Sequence, residues 1–279
     1  MNTFPRTTIE SLSVPRLIMG TNWILGFSHT SKAKDDLIRS SMDVHRMADV
    51  MVAFLEQGVD AILGFRPDPV LVAAVKEAED RAGRKMIRIT TPGLNVETGP
   101  KAEAENACTL DAAAAIGASV CMPHQGTTDA LLDRTTKRIR TMDKIVAMIR
   151  ERGMIPGLST HMPETIPYAD ASGLDVATYI QIYNAIGFLM QVEVDWVNRI
   201  IWDAKKPVIT IKPLAAGKLM PLAGLAFAWS TIRAQDMVCI GCMTPNEARE
   251  AIELSRALIE RRRPQVELQT TRSKESLKA

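Results

Sequence analysis

The feature that most constrains this chain is a period. Short apolar, β-rich runs alternate with amphipathic helical stretches along nearly its whole length. The runs are PRLIMGTNW (15–23), VDAILGF (59–65), KMIRITT (85–91), ASVCMPH (118–124), MIPGLSTH (154–161), TYIQIYN (178–184), PVITIKP (207–213) and MVCIGC (237–242). Among the helical stretches, DVHRMADVMVAFLEQG (43–58) carries apolar residues at helical spacing and stops at a glycine, and TTDALLDRTTKRIRTMDKIVAMIRERG (127–153) is long enough for two helices. Eight strand–helix units in about 250 residues is the arithmetic of a (β/α)8 TIM barrel. A doubly wound sheet is the alternative, but no Gly-x-Gly-x-x-Gly turn follows any strand. The reading is therefore one barrel domain over residues 1–261, with 1–14 as a hairpin or plug at its bottom. The polar stretch 262–279 is expected to be a surface tail.

Composition narrows the partners. A net charge of +2 gives no sign of a nucleic-acid or membrane surface. No apolar run is long enough to span a bilayer, and the N-terminus lacks an apolar secretory core. Four cysteines in a chain of 279 residues read as reduced thiols of a cytoplasmic protein. In CIGC (239–242) the two thiols are expected to face opposite sides of a strand, which argues against chelation. Trp196 and Trp202 are expected on the barrel exterior or under it, where they would mark a homo-oligomer contact.

In a parallel barrel, chemistry gathers at the C-terminal strand ends. Those ends supply Asn22, Trp23 and His29 after the first strand, and Arg66 and Asp68 after the second. Later strands supply Thr90, Thr91 and Asn95, then His124 and Gln125, then Ser159, Thr160 and His161. The last three supply Gln181, Tyr183 and Asn184, then Lys212, then Cys242 and Thr244. The types are His, Asn, Gln and Thr rather than the Lys and Glu of a plain solvated rim. Asn22, Trp23, His29, Arg66 and Asn184 are read as substrate-binding, and such a set suits a small polar or anionic molecule such as a sugar or keto acid. A single histidine after a strand is usually a structural hydrogen-bonder; three on one face are not. His29, His124 and His161 would serve either as three neutral ligands of a divalent metal or as acid, base and oxyanion partner. His45, on the first clear helix, is expected to face solvent. Lys212 ends an apolar strand directly. It is read as holding an anion or pairing with a carboxylate, with a Schiff-base nucleophile as the other reading. Asp195, within MQVEVDW (190–196), is expected to cap the helix that follows.

Several segments, in order, resemble the aldo-keto reductase family. They are VPRLIMGTNWILG (14–26), ERGMIPGLSTH (151–161), YIQIYN (179–184), KPLAAGKL (212–219) and MVCIGCMTPNEAREAIE (237–253). The resemblance implies the same barrel and a nicotinamide cofactor. It places Ser159 and Gln181 on the nicotinamide amide, and Leu214 and Gly217 in the phosphate-strand motif. The departures concern the reductase tetrad. Only His124 matches its family position; AILGFRPDPVLVAA offers no tyrosine and a displaced Asp68, and ITTPG offers no lysine. Ile211 or Lys212 stands where an aromatic ring would stack on nicotinamide, and Glu247 stands near where a basic residue would meet a 2′-phosphate. NAD(H) is thus the more compatible dinucleotide and NADP the less.

Three functions follow. The first is an enzyme in which His124, His161 and Lys212 carry acid–base lyase, isomerase or hydrolase chemistry, with or without a metal, on a small polar carbonyl or sugar-like compound. The second is an NAD(P)-dependent oxidoreductase with a non-standard acid. The third is a non-catalytic binding or regulatory barrel.

Overall fold

Nine parallel strand segments form the main sheet of the computed structural model, which describes residues 3–275 and residue 277. Of the expected plug and tail, residues 1, 2, 276, 278 and 279 lie outside the described residues. A hairpin of β1 (Arg6–Ile9) and β2 (Leu12–Pro15) comes first. It is followed by β3 (Leu17–Gly20), β4 (Ala61–Phe65), β5 (Ile87–Thr90) and β6 (Val120–Cys121). A small antiparallel pair, β7 (Leu132–Asp133) and β8 (Arg138–Ile139), stands apart from the sheet. Then come β9 (Ile155–Pro156), β10 (Leu158–Ser159), β11 (Tyr179–Ile182), β12 (Val208–Ile211) and β13 (Met237–Ile240). The sheet runs β10-β11-β12-β13-β3-β4-β5-β6-β9. Since β9 and β10 are halves of one strand interrupted at Gly157, the two ends meet and the sheet closes into a barrel of eight. Each of the eight apolar runs read from the sequence contains one of these strands.

The outer ring is α1 (Lys32–Ser41), α2 (Val44–Glu56), α3 (Pro69–Ala82), α4 (Pro100–Ala115), α5 (Gln125–Leu131), α6 (Met142–Glu151), α7 (Thr165–Ser172), α8 (Val194–Asp203), α9 (Pro221–Thr231) and α10 (Pro245–Glu260). A last turn, α11 (Arg272–Glu275), lies in the C-terminal stretch. Capping sets several starts: Asp43 accepts from Arg46 N–H at α2, and Asp68 accepts from Val70 and Leu71 N–H at α3. The stretch 127–153 is two helices, α5 and α6, with the β7–β8 ribbon between them. Helix α8 begins one residue before Asp195, with Glu193 at the cap position and no side-chain cap bond, so Asp195 sits in the first turn instead. Among the described residues, no helix is long and apolar enough to cross a membrane. Trp196 and Trp202 stand exposed on α8, and Trp202 Nε1 donates to the Thr231 carbonyl.

Two apolar layers follow from strand alternation. Ile18, Ala61, Leu63, Ile89, Val120, Ile180, Ile209 and Cys239 point into the barrel. Leu17, Ile62, Cys121, Tyr179, Val208, Val238 and Cys242 point out beneath the helices. Cys239 belongs to the interior layer and Cys242, just past the end of β13, to the outer one, though both border the cavity at the mouth, and all four cysteines are free. Ile9 and Val14 of the hairpin, both fully buried, join the interior layer and close the N-terminal end. Arg6 pairs with Asp60 and the hairpin tip pairs through Glu10 with Arg150, which fixes the closure to the barrel.

Gly157 makes the break in the fifth strand possible. A Cβ there would lie 2.8 Å from Met122 Cε, 2.8 Å from the Thr178 carbonyl oxygen and 2.9 Å from Thr178 Cγ2. The methionine can swing away, whereas the carbonyl is fixed by accepting from Leu158 N–H at 3.1 Å. Gly157→Ala is expected to lower the stability by about 1–3 kcal/mol in urea unfolding. A loss under ~0.5 kcal/mol would show that the seam gives way without cost.

Candidate active site

A cavity of about 660 Å³ opens at the C-terminal end of the barrel. Asn22, Trp23 and His29 follow β3, His124 follows β6, Ser159 and His161 end β10, and Lys212 follows β12; all line it. Leu214 and Gly217 line a continuation of the cavity toward the start of α10. Seven residues from four separate strand ends thus converge, together with two from the turn after β12.

Lys212 reaches the mouth by an unusual route. Ile209 and Ile211 point inward, so strict alternation would send residue 212 outward. Its backbone is left-handed instead, with φ of 61°, a conformation that costs an L-residue roughly 1–2 kcal/mol. Ala215 and Ala216 are left-handed as well. The strain turns the chain so that Lys212 Nζ lies 3.0 Å from His29 Nε2, which Asn22 Nδ2 also approaches at 3.4 Å. Both neighbours are donors, so this His29 nitrogen is the acceptor and the ring is neutral. Burial holds the Lys212 ammonium below the usual lysine range. No carboxylate pairs with it among the described residues, so its partner is an imidazole rather than the expected acid.

His124 Nδ1 accepts from Gly126 N–H at 3.2 Å, which leaves the proton of the neutral ring on Nε2. Burial lowers its pKa, Asp129 raises it and Lys212 lowers it, with a net downward shift. The His29 pKa is lowered by burial and then by Lys212. His161 is pushed down to about 4, by burial first and then by the Lys212 charge, with His124 and His29 opposing its protonation further. Its ring has no protein hydrogen-bond partner among the described residues. The backbone beneath it is held firmly. Asp129 accepts from Thr160 Oγ1 at 2.5 Å and from His161 N–H at 3.1 Å, and Thr160 Oγ1 also meets Thr165 Oγ1 at 2.9 Å. Burial pushes the Asp129 carboxyl upward against these bonds. Asp129 was hidden in the sequence because it sits mid-helix in TTDALLD with no strand end to mark it.

Three expected site residues are elsewhere. Gln181 lies between inward-facing Ile180 and the end of β11; it is fully buried and does not line the cavity. Its Nε2 donates to the Ile182 carbonyl and its Oε1 has no partner. Asn184 is buried as the brace of the next turn, donating to the Phe188 carbonyl and accepting from Phe188 N–H. Arg66 is outside the cavity, near Asp68 and over the Phe27 ring at 5.5 Å. The metal reading also needs correction: among the described residues, no group of three or more His, Cys, Asp or Glu side chains is placed to hold a metal ion. His29 Nε2 and His124 Nδ1 are already occupied by Lys212 and Gly126 N–H. His45, as expected, faces solvent, where it pairs with Glu77.

The residues fit a dinucleotide poorly. Ser159, Leu214 and Gly217 are in place, but Gln181 is not. At the start of α10, Glu247 accepts from Met243 N–H at 2.7 Å while Thr244 accepts from Glu247 N–H at 3.2 Å. The chain's own carboxylate thus takes a donor a phosphate would use, and Glu247 and Glu250 line that arm with negative charge. Among the described residues no phenol lines the cavity: Tyr179 OH donates to Asp170 and Tyr183 OH meets Thr231, both behind the barrel wall.

No protein-family model matches the sequence, and comparison with curated proteins finds no relative. Solved structures do match. The "putative aldo-keto reductase" of Pseudomonas aeruginosa is 13% identical with a TM-score of 0.65, over 92% of this chain and 97% of that one. The BexX/CysO complex of Amycolatopsis orientalis matches at 12% identity and a TM-score of 0.54, over 96% and 100%. Orotidine 5′-monophosphate decarboxylase of Methanocaldococcus jannaschii matches at 15% and 0.50, over 86% and 98%. Proteins with such different names share this architecture, so the likeness is one of fold. The chain has the aldo-keto reductase-like (β/α)8 barrel.

Proposed function

We propose that the cavity is the active site of an enzyme that binds a small, polar or anionic carbonyl compound and moves a proton beside the carbonyl. One observation carries this reading: three imidazoles line one cavity with the Lys212 ammonium, which has no carboxylate partner among the described residues. Lys212 lowers the proton affinity of all three rings, so the site holds a positive potential awaiting negative charge. An enolate or oxyanion forming there is stabilised where water would otherwise have to reorganise. His124, with its proton on Nε2, is suited to donate to the carbonyl oxygen. His161, with a free ring, is suited to take the proton from carbon. A bound anion offsets the part of the His161 depression that comes from the Lys212 charge, while the larger part, from burial, stays. Glu247 and Glu250, at the far arm, suit hydroxyl groups and disfavour phosphate, which points to a polyhydroxylated or keto-acid substrate.

The test is proton exchange. Small keto acids, hydroxyaldehydes and reducing sugars are incubated with the protein in deuterium oxide, and the α-proton signals are followed by NMR. Protein-dependent loss of an α-proton supports the reading; no exchange above buffer across the panel overturns it. A nicotinamide oxidoreductase is the weaker reading, because the amide-holding Gln181 faces away and the phosphate end is acidic.

A further inference from the structure

We propose that Lys212 is a covalent nucleophile, whose Nζ adds to the carbonyl carbon of the substrate and forms an imine. This rests on the reading of the cavity as a site of carbonyl chemistry and goes beyond it in assigning the bond. Three features of the structure bear on it. The amine lines the cavity at the end of β12, where a ligand carbonyl can reach it. Its hydrogen-bond partner is a neutral base, His29 Nε2 at 3.0 Å, so the proton that must leave the ammonium has a place to go. The neighbouring carboxylates are committed elsewhere: Asp35 accepts from Ser28, Asp129 from Thr160 and His161 N–H, and Glu247 from Met243 N–H. A lysine held by a carboxylate stays an ammonium; one backed by imidazoles in a half-buried site gives up its proton more readily. The left-handed backbone at 212 is further support, since such strain persists where the surrounding structure requires the residue's position.

The step balances without an added reactant. Lys212 ammonium passes a proton to His29 Nε2, and the Nζ lone pair forms a bond to the carbonyl carbon. The carbonyl π pair moves to oxygen, which takes the Nε2 proton of His124, and His124 takes one of the two protons of the new N–H2+ in its place, so the carbinolamine is neutral and its nitrogen has a lone pair. The carbinolamine then loses its hydroxyl as water, using the proton held by His29, while the nitrogen pair forms the C=N bond. The one proton left on nitrogen makes this the iminium, with His29 and His124 both neutral again; its loss to solvent gives the neutral imine. The iminium makes the adjacent C–H more acidic than the parent carbonyl does, and His161 is placed to remove that proton.

Borohydride trapping tests the bond. The full-length protein is mixed with pyruvate or with glycolaldehyde, reduced, digested and mapped by mass spectrometry. The expected result is a reduced adduct on the peptide carrying Lys212, at least tenfold above that on exposed Lys218, and absent from Lys212→Met. Lys212→Arg keeps the charge and cannot form an imine; it is expected to lose α-proton exchange at least 100-fold. An adduct confined to Lys34 or to surface lysines overturns the proposal, as does Lys212→Arg retaining exchange. Exchange by the wild-type protein with Lys212 unmodified sinks the covalent step alone and leaves the proton-transfer reading intact. Absence of both exchange and adduct sinks both.

Discussion

Replacing His161 by glutamine is expected to slow protein-dependent α-proton exchange by about 10²–10⁴-fold, the usual contribution of a positioned acid or base. The backbone should survive the change, because Asp129 grips the His161 N–H and not its ring. The same variant has a second readout in stability. The folded ring takes a proton only near pH 4, whereas the unfolded one does so near its ordinary value of 6.5. Between those values the unfolded chain binds more protons, so the wild-type protein loses stability as pH falls from about 6.5 to 4. After allowance for the partial exposure of the ring, this loss is about 1–2 kcal/mol. Urea unfolding at several pH values should show the slope in the wild type and a shallower one in His161→Gln. Equal exchange rates for the two proteins would remove His161 from the reaction.

Asp236→Ala is expected to cost about 3–5 kcal/mol of folding stability, the range for removing one partner of a buried ion pair. Asp236 is fully buried in the turn before β13. Its Oδ1 accepts from Val208 N–H at 2.9 Å and from Arg233 Nη2 at 2.8 Å; its Oδ2 accepts from Arg233 N–H and Nε, both at 2.9 Å. One carboxylate therefore ties the start of β12 to the start of β13 and neutralises a guanidinium that also donates to the Ala204 and Lys206 carbonyls. Alanine leaves four donors without an acceptor in a place water reaches poorly. A urea midpoint shift equivalent to less than ~1 kcal/mol would show that the barrel seam between β12 and β13 does not depend on this carboxylate.

The barrel was legible because burial on both faces writes each parallel strand as an apolar run, and eight such runs leave few alternatives. The mouth was legible in part for the same reason: His124, His161 and Lys212 follow apolar runs directly. What sequence could not supply is the direction of a side chain at the last residues of a strand. Gln181 obeys the alternation of β11 and so points away from the cavity. Lys212 breaks the alternation of β12 through a left-handed residue and so points in. Nothing in the letters YIQIYN and VITIKP separates these two cases. Asn184 looked like a ligand-binding amide because turn braces and binding residues use the same chemistry. The metal reading failed for a related reason: convergence of three rings can be read from a barrel, but whether their free nitrogens aim at one point cannot.

The hairpin under the barrel has a consequence for traffic. With Ile9 and Val14 packed into the interior, the molecule is a cup and not a tube. Among the described residues the cavity opens at the rim carrying Asn22, His29 and Met220, so a molecule bound there would come and go by that doorway. Departure of one occupant would then precede arrival of the next, and water displaced at the base of the cup would leave past whatever is still seated there.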